Sequence, residues 1–274
     1  MNAPHILDAT PAHTLEVLRW KEGYQSAVDQ VAEETPIGLE YNGTPHVVML
    51  ATPADLKDFA LGFSLSEGII SNVSEVKSIE LDEYSDGVRV LLAIDEARFA
   101  RLDAKRQNLA GRTGCGLCGT ERIAQVFRPM RDITSTHSIT VKQIEAALEA
   151  LPQHQSLQRA TGATHGAFWL DSTGAITAAR EDVGRHNALD KLIGALAARG
   201  EDFKKGALLI TSRASYEMVQ KSIQMGVGIL IAISAPTALA VRIAEQYNLT
   251  LVGFTRAHQH VVNSHPTRIT DVGE

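Results

Sequence analysis

Residues 207–253 read ALLITSRASYEMVQKSIQMGVGILIAISAPTALAVRIAEQYNLTLVG. Short, uniformly apolar runs alternate here with longer stretches whose apolar residues recur at helical spacing. The predicted order is strand 207–211, helix 214–225, strand 228–233, helix 237–247 and strand 249–253. Apolar strands separated by helices are typical of a sheet that is covered on both faces and is at least partly parallel. This stretch therefore predicts an α/β fold.

The residues before this stretch extend the same unit. Thr140 and Gln143 form a capping-box pattern that predicts the start of a helix. Apolar runs on either side of a short turn predict a hairpin within 167–179, and 184–198 predicts a further helix. We therefore assign residues 136–274 to one α/β domain.

The first half of the chain shows a different pattern, in which extended segments surround one helix. Residues 47–50 predict a buried strand, and the Thr-Pro pair at 52–53 predicts the N-cap and first turn of a helix that closes at 67–68. The Asp-Gly pair at 86–87 predicts a tight hairpin between two further strands. This part of the chain is therefore predicted to be mixed α+β.

The domain boundaries follow from these patterns. Residues 19–135 are predicted to form a smaller α+β domain that ends in a loop with two cysteines. Residues 1–18 are polar, lack periodicity and are predicted to form a disordered tail.

The composition excludes several classes of protein. The chain has 274 residues, of which 44% are hydrophobic and 21% are charged, as in ordinary globular proteins. A formal net charge of -6 argues against a general nucleic-acid binder. No apolar run approaches the length of about 20 residues that crosses a bilayer, and none near the start has the length of a signal peptide. We therefore expect a cytoplasmic protein without membrane insertion.

The two cysteines lie in a glycine-rich loop. Residues 111–119 read GRTGCGLCG, which places Cys115 and Cys118 three positions apart. A zinc site would need two further ligands, and a thioredoxin-type redox pair would be expected at the start of a helix. A persulfide carrier needs an accessible thiolate, which a neighbouring arginine would stabilise. The cysteine pair alone leaves these three chemistries open.

Polar residues gather at the predicted junctions between strands and helices. Residues 161–166 precede the hairpin, and the junctions at 184–187, 211–215 and 254–260 follow strands of the predicted sheet. Ligands bind in α/β sheets at such strand ends, and free N–H groups at helix N-termini accept anions. Helix capping by Asp182 explains the junction at 184–187 equally well. We predict that these three junctions line one pocket.

The order of elements resembles the cytidine deaminase fold. The chemistry of zinc deaminases needs a His-x-Glu signature and a later pair of cysteines at a helix start. This chain has His186-Asn187-Ala188 at the first position and Ser212 and Ser215 at the second. The fold is therefore expected without the deaminase zinc site.

Several segments together resemble the formate dehydrogenase accessory protein (FdhD) family. They are 111–119, 161–166, 180–190, 212–220, 234–240 and 265–266. The resemblance implies a homodimer with a three-layer, cytidine deaminase-like C-terminal domain. It also implies a sulfurtransferase that takes sulfur from a cysteine desulfurase. The sulfur passes to the molybdenum or tungsten bis-molybdopterin guanine dinucleotide cofactor that formate dehydrogenase requires. No permanently bound metal is expected.

The resemblance also implies the functional residues. Cys115 corresponds to the persulfide carrier, and Cys118 to its transfer or resolving partner. The segment that binds the nucleotide cofactor falls on Phe254, Thr255, Arg256, Ala257, His258 and Gln259. The alternatives are a zinc-binding, deaminase-like enzyme and a non-catalytic chaperone that binds the cofactor or formate dehydrogenase.

Overall fold

The first half of the chain forms a β-hairpin and a four-stranded sheet with two helices among the described residues. The computed structural model describes residues 10–107 and 130–271. The first elements are β1 (Ala12–Trp20), β2 (Tyr24–Ala32), β3 (Thr35–Tyr41), β4 (Thr44–Ala51), α1 (Leu56–Ser66), β5 (Val76–Tyr84), β6 (Gly87–Ile94) and α2 (Glu96–Gln107). Among the described residues, strands β1 and β2 pair only with each other. The sheet has the order β4-β3-β6-β5, in which β3 and β6 are parallel.

The second half contains a six-stranded sheet with helices on both faces. Its elements are β7 (Ile139–Thr140), α3 (Val141–Ala150), α4 (Ser156–Thr161), β8 (His165–Leu170), β9 (Ile176–Asp182), α5 (Arg185–Ala198), β10 (Ala207–Ile210), α6 (Tyr216–Gln224), β11 (Ile229–Ala232), α7 (Ala238–Gln246), β12 (Thr250–Arg256), β13 (Gln259–Ser264) and β14 (Ile269–Thr270). The sheet order is β13-β12-β11-β10-β8-β9, in which β10, β11 and β12 are parallel and the others antiparallel to their neighbours.

The central strands are apolar at every position because both faces of this sheet are covered. Leu208 and Leu230 belong to the hydrophobic cluster that contains the buried residues of α5, α6 and α7. Leu209 and Ile231 belong to the cluster on the other face, together with Ile144 of α3. Successive side chains of a strand point to opposite faces, so an unbroken apolar run supplies both clusters. The predicted α/β sheet of residues 207–253 is confirmed.

Helices α1 and α5 cross at two glycines, which brings the two halves of the chain together. A Cβ atom on Gly62 would lie 1.7 Å from the backbone oxygen of Asp190, and one on Gly194 would lie 1.9 Å from that of Asp58. The backbones can approach this closely only because both positions lack a side chain. The larger hydrophobic cluster accordingly contains residues of both halves.

Three local predictions are wrong. Residues 12–18, which were predicted to belong to a disordered tail, lie in β1. Strand β4 is half exposed, with Val48 65% exposed, because alternate side chains of this edge strand point away from the core. The N-cap of α1 is Asp55, and Thr52 is instead buried.

Thr52 is held by the second half of the chain. Its N–H donates to Asp182 Oδ2 at 3.0 Å, and its Oγ1 accepts from Val183 N–H at 3.2 Å. These long-range bonds satisfy the polar groups of Thr52, which the sequence predicted to be the N-cap of a helix.

The capping box of Thr140 and Gln143 at the start of α3 is confirmed. Within the described residues, the helices are all too short or too polar to span a membrane.

Candidate functional site

The predicted sulfur site lies outside the described residues. Cys115 and Cys118 belong to the segment 108–129, between the end of α2 and Met130. Met130 packs against the larger hydrophobic cluster. The role of the two cysteines therefore stays a prediction.

The predicted nucleotide segment, 254–259, covers the end of β12, the turn at 257–258 and the first residue of β13. Arg256 pairs with Gln259, which leaves Ala257 and His258 at the tip of the turn. Phe254 is exposed and has a positive φ of 52°, which coincides with an irregularity in the pairing of the two strands. Thr255 is buried, and its Oγ1 has no hydrogen-bond partner among the described residues.

Polar junctions meet at the edge of the sheet where the parallel strands end. Thr211 N–H donates to the Gly166 carbonyl at 3.0 Å, and Gly166 N–H donates to Thr211 Oγ1 at 2.9 Å. His186, at the start of α5, has its Nε2 3.8 Å from Glu217 Oε2 in the first turn of α6. The structure therefore brings together the junctions at 161–166, 184–187 and 211–215.

The turn at 254–260 lies farther along the same edge. Strand β11 separates β12 from β10, and the loop after β11 connects the two sides. Ala214 N–H donates to the Ala235 carbonyl at 3.2 Å, and Phe254 N–H donates to the Ser234 carbonyl at 3.2 Å. The cleft at the other end of this edge is lined by Thr211 and by no residue of 184–187 or 254–260. The prediction of one pocket lined by the junctions at 184–187, 211–215 and 254–260 is therefore wrong.

A polar cleft of about 390 Å³ opens between α4 and the adjoining ends of β8 and β10. We call it the polar cleft, and its lining residues are Gln155, Gln158, Gly162, Ala163, Thr164, His165 and Thr211. Gln158 Oε1 accepts from Thr164 N–H at 2.8 Å, which fixes one wall. Glu181 accepts from the N–H groups of Leu157 and Gln158, which anchors α4 against β9.

Charges beside the polar cleft shift the pKa of two groups. Burial lowers the pKa of His165, and the nearby charges of Arg185 and His186 lower it further against the effect of Asp182. His165 is therefore neutral at pH 7. His186 lowers the pKa of Glu217 to about 2 against partial burial, and a hydrogen bond from Ser215 adds to the effect. Glu217 therefore stays ionised at any physiological pH.

Asp182 is fully buried and saturated by protein donors. Its Oδ2 lies 2.6 Å from Lys191 Nζ, and its Oδ1 accepts from Gly184 N–H at 2.7 Å and from Asn187 Nδ2 at 3.0 Å. The N-cap residue of α5 is Gly184, which offers no side-chain cap. The interpretation of Asp182 as the helix cap is therefore only partly correct. Asp182 accepts a hydrogen bond from Gly184 N–H at the junction, and it also pairs with the buried Lys191.

A second buried lysine joins the same elements farther from the cleft. Lys221 Nζ lies 2.9 Å from Asp190 Oδ2 and 2.9 Å from Glu67 Oε1, and it donates to Ser66 Oγ at 2.8 Å. The cluster connects α6 with α5 and with the end of α1. Buried charges persist only where partners saturate them, so this cluster fixes the packing of the three helices.

Sequence reasoning missed Gln155 and Gln158 as well as both lysines. The glutamines lie in a short polar stretch just before the junction at 161–166, with Gln155 as the N-cap residue of α4 and Gln158 within the helix. The lysines lie in α5 and α6, helices that also carry buried apolar residues, and a lysine among such residues is the available signal for a buried, paired cation. Within residues 10–107 and 130–271, no group of three or more His, Cys, Asp or Glu side chains is placed to hold a metal ion.

Comparisons with known proteins agree on one family. A family profile described as FdhD/NarQ matches residues 32–270. A protein of Cupriavidus necator named sulfur carrier protein FdhD is 56% identical over 94% of this chain and 91% of its own. A protein of Bordetella petrii with the same name is 47% identical over 97% of this chain and 96% of its own.

A solved structure shares the fold. The crystal structure of a protein from Desulfotalea psychrophila, described as a formate dehydrogenase accessory protein, superposes with a TM-score of 0.72 at 23% identity. The match covers 94% of this chain and 99% of the other. The mixed α/β architecture of several sheets is therefore shared across the whole length.

Proposed function

The chain belongs to the FdhD/NarQ family, and from this membership we propose that it is a sulfur carrier for formate dehydrogenase. In this proposal Cys115 accepts persulfide sulfur from a cysteine desulfurase. The sulfur passes to the bis-molybdopterin guanine dinucleotide cofactor of molybdenum or tungsten, which is bound as a substrate. The single observation that carries the proposal is the near full-length identity to proteins named sulfur carrier protein FdhD.

The first step is a thiol exchange. The Cys115 thiolate attacks the terminal sulfur of the desulfurase persulfide, a new S–S bond forms, and the desulfurase thiolate leaves. The product is a persulfide on Cys115, and the step involves no net oxidation. Its rate depends on the thiolate fraction of Cys115 and on its accessibility.

The second step releases the sulfur in the reduced form that a metal ligand requires. The Cys118 thiolate attacks the inner sulfur of the Cys115 persulfide, a disulfide forms between the two cysteines, and hydrosulfide leaves. The two cysteines supply the two electrons. A dithiol reductant then restores the thiols.

The nucleotide part of the substrate is assigned in this proposal to Phe254, Thr255, Arg256, Ala257, His258 and Gln259. The exposed ring of Phe254 and the exposed guanidinium of Arg256 offer stacking and phosphate contacts. The buried, unpaired Oγ1 of Thr255 is a further polar group without a protein partner in the described residues. These observations support a ligand site at this turn.

The proposal also assigns the two halves as domains, at 19–135 and 136–274, and the second as cytidine deaminase-like. The strand order β9-β8-β10-β11-β12, with α5, α6 and α7 packed in one hydrophobic cluster, supports that relationship. A homodimer in the cytoplasm is part of the same proposal.

The test is activation of formate dehydrogenase in cells that lack this protein. Cys115→Ala is expected to abolish activation, because in this proposal Cys115 accepts the persulfide sulfur and Cys118 only releases it. Cys118→Ala is the matched control, since its Cys115 should still gain one sulfur atom from the desulfurase, as measured by mass spectrometry.

The alternative functions predict other outcomes. Full activation by Cys115→Ala would support the non-catalytic chaperone and contradict the carrier. Stoichiometric zinc in the purified protein, lost in both cysteine variants, would support the deaminase-like metalloprotein.

A further inference from the structure

The hairpin of β1 and β2 presents an apolar face to solvent. Trp20 of β1 lies directly opposite Tyr24 of β2. Because side chains alternate between the two faces of a strand, the even-numbered residues of both strands share one face. Four large apolar side chains on that face are each at least 63% exposed: Leu18, Trp20, Tyr24 and Val28. We call this surface the arm face.

The hairpin is fully paired, yet its arm face lacks support. At the base, Glu33 N–H donates to the Pro11 carbonyl at 3.0 Å, and at the tip the rings of Trp20 and Tyr24 meet edge to face with centroids 5.1 Å apart. Within residues 10–107 and 130–271, neither strand pairs with a third strand. A two-stranded hairpin is marginally stable in water unless another element covers an apolar face. The arm face therefore calls for a covering surface from outside.

The chemistry of the hairpin favours a protein surface over a lipid surface. A hairpin that binds anionic lipid needs unpaired basic residues around an apolar tip. Here Arg19 pairs with Asp29 at 3.4 Å on the opposite face, and the turn carries Lys21 and Glu22 side by side. The apolar residues also extend back from the tip as far as Val28. Aromatic residues on such a face are typical of protein interfaces.

The available area decides how a second copy of the chain can cover the arm face. Each strand has nine residues, so the hairpin is about 30 Å long, and with a width of about 10 Å one face measures about 300 Å². Two arm faces stacked on each other would bury about 600 Å² in total, whereas a specific dimer needs about 1,200 Å². If each copy instead covers the arm of the other with its body, both arm faces and both receiving surfaces are buried. The total then reaches about 1,200 Å².

We propose that the hairpin of β1 and β2 is an interface arm, which a second copy of this chain covers while it offers its own arm in return. Such reciprocal exchange closes under two-fold symmetry, so it gives a dimer and not a filament. Trp20 and Tyr24 are the anchors, because aromatic side chains contribute most at interfaces. The inference deepens the homodimer of the proposed function by naming its surface. It involves neither Cys115 nor the segment 254–259.

The first test uses the position of Trp20. The chain has two tryptophans, and the other, Trp169, is fully buried in the core. The difference between the fluorescence spectra of wild type and Trp20→Phe therefore reports on the arm. We expect this signal to be blue-shifted in the dimer and to shift to the red on dilution, over the same concentrations at which analytical ultracentrifugation shows the dimer dissociating.

The second test removes the apolar side chains of the arm face. Leu18→Ser/Trp20→Ser should raise the Kd of the dimer at least 100-fold, because one anchor and its apolar neighbour are lost. Val28→Ser should raise the Kd about tenfold, and this variant decides if the double variant loses its circular dichroism. The matched control is Leu81→Ser, which removes a 41% exposed side chain from β5 and should dissociate like wild type.

Four results would overturn the inference. A monomeric wild type with a red-shifted Trp20 signal would mean that a second copy does not cover the arm, and a monomer with a blue-shifted signal would mean that its own chain does. A monomer that sediments with phosphatidylglycerol vesicles would assign the arm to membranes. A dimer unaffected by the arm variants would place its interface elsewhere.

Sulfur transfer is measured separately, as the mass added to Cys115 by the desulfurase. Wild type that dimerises through its arm but gains no sulfur would contradict the carrier and leave this inference standing. Wild type that gains sulfur as a monomer would do the reverse.

Discussion

Glu217 couples the stability of the protein to acid pH. Its pKa is about 2 in the folded chain, compared with an ordinary value of 4.5, because of His186 and the hydroxyl of Ser215. A depressed carboxyl pKa stabilises the folded state above the ordinary pKa, and that contribution disappears as the pH falls from 4.5 toward 2. Part of the decrease in the free energy of unfolding at acid pH therefore comes from this residue.

Glu217→Gln tests this contribution. At pH 7 the variant should be less stable by on the order of 2 kcal/mol, a value reduced because the side chain is partly exposed. The difference should shrink to nothing near pH 2. Urea unfolding at several pH values measures it, with the exposed Glu245→Gln as the control that should follow wild type. A difference independent of pH would contradict the assignment.

The sequence predicted which residues form the polar junctions, but it did not predict which residues they contact. His186, Thr211 and Arg185 lie in segments that were singled out as polar strand ends. The pairing of Asp182 with Lys191 was not foreseen, because the lysine is nine residues farther along the chain, inside helix α5. Which polar groups become buried depends on long-range packing, and local patterns do not contain that information.

At the scale of elements, the crossing of α1 and α5 depends on having no side chain at two positions. Gly62→Ala would raise the helix propensity of α1 by about 1 kcal/mol if the helix were isolated. In the folded protein the new Cβ would lie 1.7 Å from the Asp190 backbone oxygen, so the helices must move apart. The clash should outweigh the propensity.

We expect Gly62→Ala to destabilise the protein by about 3 kcal/mol, measured by urea unfolding. Gly38→Ala is the control, because a Cβ there would make ordinary contact with Arg89 Cγ at 3.8 Å. A Gly62→Ala protein as stable as wild type would show that the helices cross elsewhere.

The elements that sequence patterns predicted are those whose stability comes from burial. The alternating strands and helices of 207–253 were predicted because each buries a regular set of apolar residues. The hairpin of β1 and β2 was missed, because Leu18, Trp20 and Tyr24 are exposed and pairing between strands holds it together. Helix α2 was missed because half of its residues are charged.

At the scale of the whole molecule, the cluster around Lys221 holds α1, α5 and α6 in one arrangement. Lys221→Met would leave Asp190 and Glu67 facing each other without a buried cation. We expect a loss of about 3 kcal/mol or more in the free energy of unfolding, since an unpaired buried charge is costly.

The double variant Lys221→Met/Asp190→Asn should recover part of this loss, which identifies the uncompensated charge as the cause. Lys205→Met is the control, because Lys205 is exposed and pairs with Asp202 at 3.6 Å. Equal losses in the single and double variants would contradict the explanation.

The contact of Gly62 with Gly194 limits how this chain can recombine with its relatives. The close crossing needs both glycines, since a side chain at either position would keep the two helices apart. A chimera made by joining the first half of one relative to the second half of another should therefore fold only when the two parents share this small-residue crossing.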